Sequence, residues 1–514
     1  MKNRSITLIA RLLLAICLAV SKEAQAVSPA PDGCYPLYTT AEGCNALNLL
    51  TTGVGNTAVG WYSLSTVVSN SFNTGVGSGA LALNIGDANT AVGAEAMLSN
   101  SSGFQNVANG YEALLYNTTG SYNDAVGVFA LYNNVDGSFN NAFGNEALTT
   151  NTHASNNTAI GDLALAFNDI TGDNLASFNT AVGSQALYTN TDGNSNAGVG
   201  FQALYNNIDG SFNTALGNLA LFSNVSAGDN TAVGYLALAS NDSLGDNQAY
   251  YNTAIGGQAL LFNFDGNSNT AVGWGAIPNN FNGNFNTALG YQALFSNEEA
   301  SRNTAIGSSA LLNSNGGQFN TAVGADSGAN VATASNVTCL GARVAGADVS
   351  NTTWVGSVYD VTPQSGTTAP VVVSDSGQLG TVASSKRFKK DIAPMEKASE
   401  TVLSLRPVTF HYKSDAKETA QFGLIAEEVA KLNPALVICD KEGKPHTVRY
   451  DAVNVMLLNE FLKEHRKAEQ QRKDFETALA QQQKEIDALT AGLRRVSAEL
   501  ELTKSAPETV LNDQ

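Results

Sequence analysis

The phrase Asn-Thr-Ala-Val-Gly, with close variants, recurs along the chain with its glycine at positions 60, 77, 93, 110, 127, 144, 161, 183, 200, 217, 234, 256, 273, 290, 307 and 324. The step is almost always 17 residues. One interval is 16 and two are 22, the size expected of a five-residue loop added to an otherwise constant coil. Two degenerate copies end at Gly341 and Gly356. A fixed short period means one unit stacked repeatedly on its neighbours. The residue before the glycine is aliphatic or aromatic (Val59, Phe143, Ile160, Leu216, Val272, Ile306), with Asn109 the polar exception. A second apolar position recurs four residues after it, as in Leu64, Leu114, Leu187, Leu260 and Leu311. Two such ladders predict a continuous core shared by stacked coils, a β-solenoid or β-roll.

The Thr-Ala-Val segment supplies a short strand, and Asp-Gly pairs such as Asp136-Gly137, Asp192-Gly193 and Asp265-Gly266 supply turns. The Asn four residues before each glycine, Asn56 to Asn320, predicts a stacked amide ladder. Roughly 18 coils at about 4.8 Å each would stand on the order of 80 Å tall. The Asp-Gly turns lack the Gly-Gly-x-Gly-x-Asp spacing of calcium-binding rolls, and the Thr column is ordinary strand composition rather than an ice-binding face. Cys339 takes the small position filled elsewhere by Ala, which predicts a buried thiol, and His153 is expected in solvent. No Cys/His cluster suggests a metal, and no cofactor is expected.

Charge divides the chain. Residues 27–383 hold only Arg302 and Arg343 against 23 acidic groups, whereas residues 384–514 hold 21 of each sign. Two cations in over 350 residues cannot neutralise a phosphate backbone, so nucleic-acid binding is not expected of the long half. Lys2 and Arg4, the apolar run Leu12 to Val20 and the small-x-small sequence Ala24-Gln25-Ala26 predict a signal peptide over 1–26 and export, to the exterior or the cell surface. No later segment is long and apolar enough to span a bilayer. Cys34 and Cys44, close together in a Gly/Pro-rich part of an exported chain, form a possible disulfide within an N-terminal cap, 27–52.

After the array (53–356) and a Gly/Ser/Thr/Pro linker (357–383), the chain reads Ser384-Ser385-Lys386-Arg387-Phe388-Lys389-Lys390-Asp391-Ile392. Further on come Leu405-Arg406-Pro407-Val408-Thr409-Phe410 and Tyr412, Phe422 to Val429, Asn433-Pro434 and Val448-Arg449-Tyr450. In this order they resemble the intramolecular chaperone auto-processing domain of phage endosialidase tailspikes, phage tail fibres and the myelin regulatory factor, whose opening pattern is Ser-Asp-x-Arg-x-Lys-x-Asp-Ile. The resemblance implies Ser384 as nucleophile, Lys389 as general base and cleavage of the Ala383–Ser384 bond. Ser385 replaces the family's Asp and is itself an alternative nucleophile, in register with Lys390. His411 and His446 lie in the module without a Ser or Cys partner by motif. The repeats, for their part, resemble the head repeats of trimeric autotransporter adhesins, which form β-rolls that trimerise side by side.

From Leu458 an unbroken three-four spacing runs through Phe461, His465, Ala468, Arg472, Phe475, Leu479, Gln482, Ile486, Leu489, Leu493 and Val496 to Leu500, the seam of a coiled coil over 458–503, before a disordered tail, 504–514. The predicted fold is mainly β: a solenoid of 17-residue repeats, a small α+β chaperone domain (384–457) and a coiled-coil helix. The expected function is a secreted, adhesin-like homotrimeric rod with an unknown cell-surface or glycan ligand, folded by its C-terminal module and released from it by Ser-Lys autoproteolysis. A structural surface protein with an uncleaved trimer clasp and a phage-derived tail fibre are the alternatives.

Overall fold

A computed structural model describes residues 36–359, 361, 367–374 and 376–503. The predicted signal peptide, Cys34 with its possible pairing to Cys44, and the tail 504–514 lie outside the described residues. The chain forms two compact units that divide between Gln364 and Ser365.

The first unit is a solenoid built on one sheet of 19 strands, running from Thr40–Glu42 to Thr353–Val355. Neighbouring strands are parallel and in register, Thr214 opposite Thr231 and Leu216 opposite Val233. Register survives the 22-residue intervals, since Thr231 still faces Thr253. The extra residues leave as loops, as the sequence suggested. In one of them the buried Asp242 satisfies the backbone: Oδ2 accepts from the N–H groups of Ser226 and Ala227, both at 2.8 Å, and Oδ1 from Asn247 at 2.9 Å. One coil precedes the first copy of the glycine phrase. Thr40–Glu42 pairs with Thr57–Val59 and buries Ala46 and Leu47, but Glu42 in the aliphatic position hides it from a pattern search.

The core is narrower than the sequence suggests. Leu64, Leu114, Leu187, Leu260 and Leu311 are buried as expected. The aliphatic residues before the glycines are not: Val59, Ile160, Leu216 and Ile306 are exposed. In a three-residue strand the first and third side chains share a face. The middle residue, usually Ala as in Ala215, points inward, so Thr and Val point out together. An Ala three residues after the glycine (Ala220) and the following Leu (Leu221) complete each layer. Cys339 replaces the strand Ala in its coil and is buried in the same core.

Two hydrogen-bonded columns of Asn run beside this core. The expected one is present, but it works chiefly through the backbone: Asn213 Oδ1 accepts from the N–H of Asn230 at 3.0 Å, and its Nδ2 donates to Ala227 O at 2.9 Å. A second column, seven residues after the glycine, runs from Asn84 to Asn297 and joins amide to amide. Asn207 Nδ2 donates to Asn190 Oδ1 at 2.9 Å, and Asn224 Nδ2 to Asn207 Oδ1 at 3.0 Å. Each side chain thereby satisfies a buried polar group of the next coil, without which stacking would strand donors and acceptors in the interior.

The glycine that defines the period is required by both conformation and space. Gly217 has φ +141°, and a Cβ there would lie 2.5 Å from Gly234 O and 2.7 Å from Gly234 C. The corners of the coil, by contrast, place ordinary residues in the left-handed region, such as Phe212, Leu219 and Leu221 at φ 61°, 58° and 51°. Stacking against identical neighbours offsets a cost of about 1 kcal/mol or more at each such residue.

The second unit is small. A 3₁₀ helix, Glu396–Ser404, is followed by the hairpin of Val408–Phe410 with Gln421–Gly423, then helix α1, Ala426–Leu432. A second hairpin, Val437–Cys439 with Pro445–Val448, leads into helix α2, Tyr450–Thr503, which is continuous over 54 residues. Its core is Val429, Leu436, Val448 and Val453. The seam residues Phe461, Phe475, Leu479, Leu489 and Leu493 are exposed along α2. Among the described residues no helix is long and apolar enough to cross a membrane.

Candidate autoproteolytic site

The stretch from Thr381 to Ser384 belongs to no regular element and is exposed. The chain then makes one short 3₁₀ turn, Lys386–Phe388. Ser385 is its N-cap: the backbone is extended there (φ −63°, ψ 141°) and Oγ accepts from the N–H of Arg387 at 3.4 Å. The Lys389 N–H closes the turn on Lys386 O at 3.1 Å. One turn between positions 384 and 389 folds the lysine back over the serine. Lys389 Nζ donates to Ser384 Oγ at 3.1 Å. Both residues are exposed.

This geometry separates the two adjacent serines. Ser384 meets the amine, whereas the Ser385 hydroxyl is engaged in capping. It also gives the Asp-to-Ser departure a physical reading, since Asp and Ser are about equally good N-caps and either can open the same turn. The cation-rich turn is shaped further by Arg387, whose guanidinium carbon lies 4.7 Å from the Phe388 ring centroid. Ala383 is exposed immediately before the serine. His411, just after the strand Val408–Phe410, and His446, in the strand Pro445–Val448, are both exposed. Among the described residues no group of three or more His, Cys, Asp or Glu is arranged to hold a metal ion.

A second polar cluster, not visible in the sequence, ties the unit together. Ser399, fully buried on the 3₁₀ helix, donates to Glu460 Oε1 on α2 and accepts from Asn459 Nδ2 at 2.7 Å. Lys463 Nζ completes it, 2.7 Å from Glu460 Oε1. Hydrogen bonds, first from Lys463 and then from Ser399, hold the Glu460 carboxyl below its ordinary range. Similarly, Arg406 Nε donates to Glu428 Oε2 at 3.1 Å and holds that carboxyl down. The partners are separated by about sixty residues in one case and 22 in the other, so no local pattern announces them. They join the 3₁₀ helix to α2 and the segment before the first hairpin to α1.

No curated protein and no solved structure matches the chain. Residues 384–438, a segment that opens on Ser384, match the family model described as the chaperone of endosialidase, and the 19-strand solenoid precedes that segment.

Proposed function

We propose that this chain is an exported, trimeric β-rod whose C-terminal unit assists assembly of three copies and then leaves through a single cut of the Ala383–Ser384 bond. The observation that carries the reading is the 3.1 Å contact of Lys389 Nζ with Ser384 Oγ, at the first residue of the matched segment. In the proposed step Ser384 Oγ attacks the Ala383 carbonyl carbon and its proton passes to Lys389. The C–N bond breaks, the Ser384 nitrogen takes up a proton, and Ala383 is left as an ester on Oγ. Water then hydrolyses the ester, giving an Ala383 carboxylate and a new Ser384 amino terminus.

The nucleophile is tethered beside its target, and such tethering is worth effective molarities of roughly 10⁵ M or more, so no substrate pocket is needed. To accept a proton, a lysine must first be neutral, and loss of water favours that state. Ser384 and Lys389 are exposed in the single chain. The proposed order is therefore assembly first and cleavage second, once other copies cover the turn. The pattern Lys2, Arg4, Leu12 to Val20 and Ala24-Gln25-Ala26 supports export.

Expressing the full chain and weighing its products tests this. A C-terminal fragment of residues 384–514 is expected, lost in Ser384→Ala and kept in Ser385→Ala. Lys389→Met should slow its appearance by about 10²- to 10⁴-fold, the usual contribution of a general base. A wild-type chain that stays whole after assembling would rule out the cut and leave the C-terminal unit as a permanent clasp.

A further inference from the structure

The position five residues before each glycine carries a pattern of its own. From Phe139 to Asn336 it alternates, rung by rung, between an aromatic and a non-aromatic residue. The rings are Phe139, Phe178, Phe212, Tyr251, Phe285 and Phe319, all between 53% and 63% exposed. Between them stand Asn156, Ser195, Asp229, Ser268 and Arg302. All of these positions share one backbone conformation, with φ between 56° and 63°. They also share one hydrogen bond to the coil before, as from Phe212 N–H to Asn194 O at 3.1 Å and from Asp229 N–H to Ser211 O at 3.0 Å. Their side chains therefore leave the rod in the same direction and in line.

Two contacts show how the column is oriented. Where rings occupy successive rungs, Tyr122 and Phe139 stack at 4.8 Å with planes 5° apart, so their faces look along the column. Where one rung separates the rings, Arg302 fills the space, its guanidinium carbon 5.7 Å from the Phe285 centroid and 5.2 Å from that of Phe319. At about 4.8 Å per rung, rings two rungs apart stand about 9.6 Å from each other. One flat cation midway lies within about 6 Å of both ring centres, the range in which the ring quadrupole holds it. Ser195, Asp229 and Ser268 leave three consecutive spaces of this kind, bounded by Phe178, Phe212, Tyr251 and Phe285. The serine side chains are too short to fill theirs, and Asp229 brings a carboxylate to the middle one.

We infer that these three slots bind the arginines of a partner protein segment, one guanidinium to a slot, as Arg302 is held within the chain. Chemistry selects arginine. A guanidinium is planar and weakly hydrated and can meet a ring on either side, whereas the lysine ammonium is a compact, strongly hydrated charge. Charge agrees, since residues 27–383 hold 23 acidic groups and only two basic ones, one of which already fills the next slot. Spacing selects the partner's conformation. A polyproline II helix has three residues per turn and rises about 3.1 Å per residue, so its same-face side chains recur every 9.3 Å or so, close to two rungs. A β-strand, with same-face side chains about 6.6 Å apart, loses register by the second slot. The partner is thus an extended Arg-x-x-Arg-x-x-Arg segment laid along the rod. The slots lie within a single chain, so neither the cut nor the number of copies enters the inference.

Fluorescence anisotropy with the full chain tests it, using labelled peptides of three Arg-Pro-Pro or three Lys-Pro-Pro units, equal in charge and length. The arginine peptide should bind about tenfold more tightly. Ser195→Arg combined with Ser268→Arg should fill two slots from within and weaken that binding by about tenfold. Ser195→Lys combined with Ser268→Lys adds the same charge and should weaken it clearly less. Retained β-type circular dichroism checks that both pairs fold, and the comparison of peptides on the parent chain stands without them. Equal affinity for the two peptides, equal losses in the two pairs of variants, or no binding of either peptide would overturn the slots.

Discussion

Replacing Gly217 by Ala tests why the period exists. The added Cβ would sit 2.5 Å and 2.7 Å from the carbonyl atoms of Gly234, where ordinary contact begins near 3.4 Å, so the two rungs must part by most of the difference. At φ +141° the alanine backbone is also strained, by about 1–3 kcal/mol. The separation weakens two bonds that cross this junction, Gly234 N–H to Leu216 O at 2.8 Å and Leu236 N–H to Asn218 O at 3.1 Å. At about 0.5–1.5 kcal/mol each, they bring the total to about 2–6 kcal/mol. Because stacked repeats are stabilised by nearest-neighbour terms, the loss should stay near that junction. Amide exchange at Gly234 and Leu236 should rise by about 10- to 10⁴-fold. Exchange at Gly307, which bonds to Leu289 O several rungs away, should hardly change. Gly316→Ala is the control, since nothing lies within 4 Å of its added Cβ. Equal exchange at Gly234 in Gly217→Ala and the parent would refute the steric argument, and an equal rise at Gly307 would refute its locality.

Two further substitutions probe the polar framework of the rod. The amide column stops where Ser314 takes the place of Asn, leaving Asn297 Oδ1 and Ser314 Oγ buried without partners. Ser314→Asn should extend the column and stabilise that junction by about 1 kcal/mol, read as slower exchange of the Ser296 amide, which donates across it to Leu312 O at 3.1 Å; no slowing would count against it. Near the end of the solenoid, Asp348 Oδ1 accepts from the N–H groups of Ala332, Thr333 and Ala334 at 3.0, 2.8 and 2.7 Å. These bonds, that from Ala334 first, hold its carboxyl at about 2. A depressed folded value contributes stability above the unfolded value of about 3.9, and that contribution is lost as pH falls toward the folded one. Protease access to the 332–334 loop should therefore increase between pH 4 and 2 in the parent but not in Asp348→Asn, and identical pH profiles would refute the assignment.

Much of this architecture was legible because the array is nearly one-dimensional. A period, a glycine and a buried Leu per coil are local facts, and stacking repeats them without long-range choices. The motifs from Ser384 through Asn433-Pro434 were equally readable, since each is a run of near neighbours, and they lie within the matched residues 384–438. The pattern did not disclose which apolar ladder faces inward. Val59 and Leu64 are both apolar once per coil, and only the closed coil, with room for a single Ala per strand, turns one inward and leaves the other outside. The second Asn column went unread for a similar reason. Asn is equally common in turns, and only its burial beside the previous coil's amide distinguishes a ladder from a loop. Positive φ at Phe212, Leu219 and Leu221 contradicts local preference, and the neighbouring coils enforce it. In the second unit, Ser399 meets Glu460 across sixty intervening residues through packing that no spacing encodes. Sequence alone therefore determined the repeat and the Ser384–Lys389 turn, both written in near neighbours. Tertiary structure decided the faces, because inside and outside exist only after the coil has closed on itself.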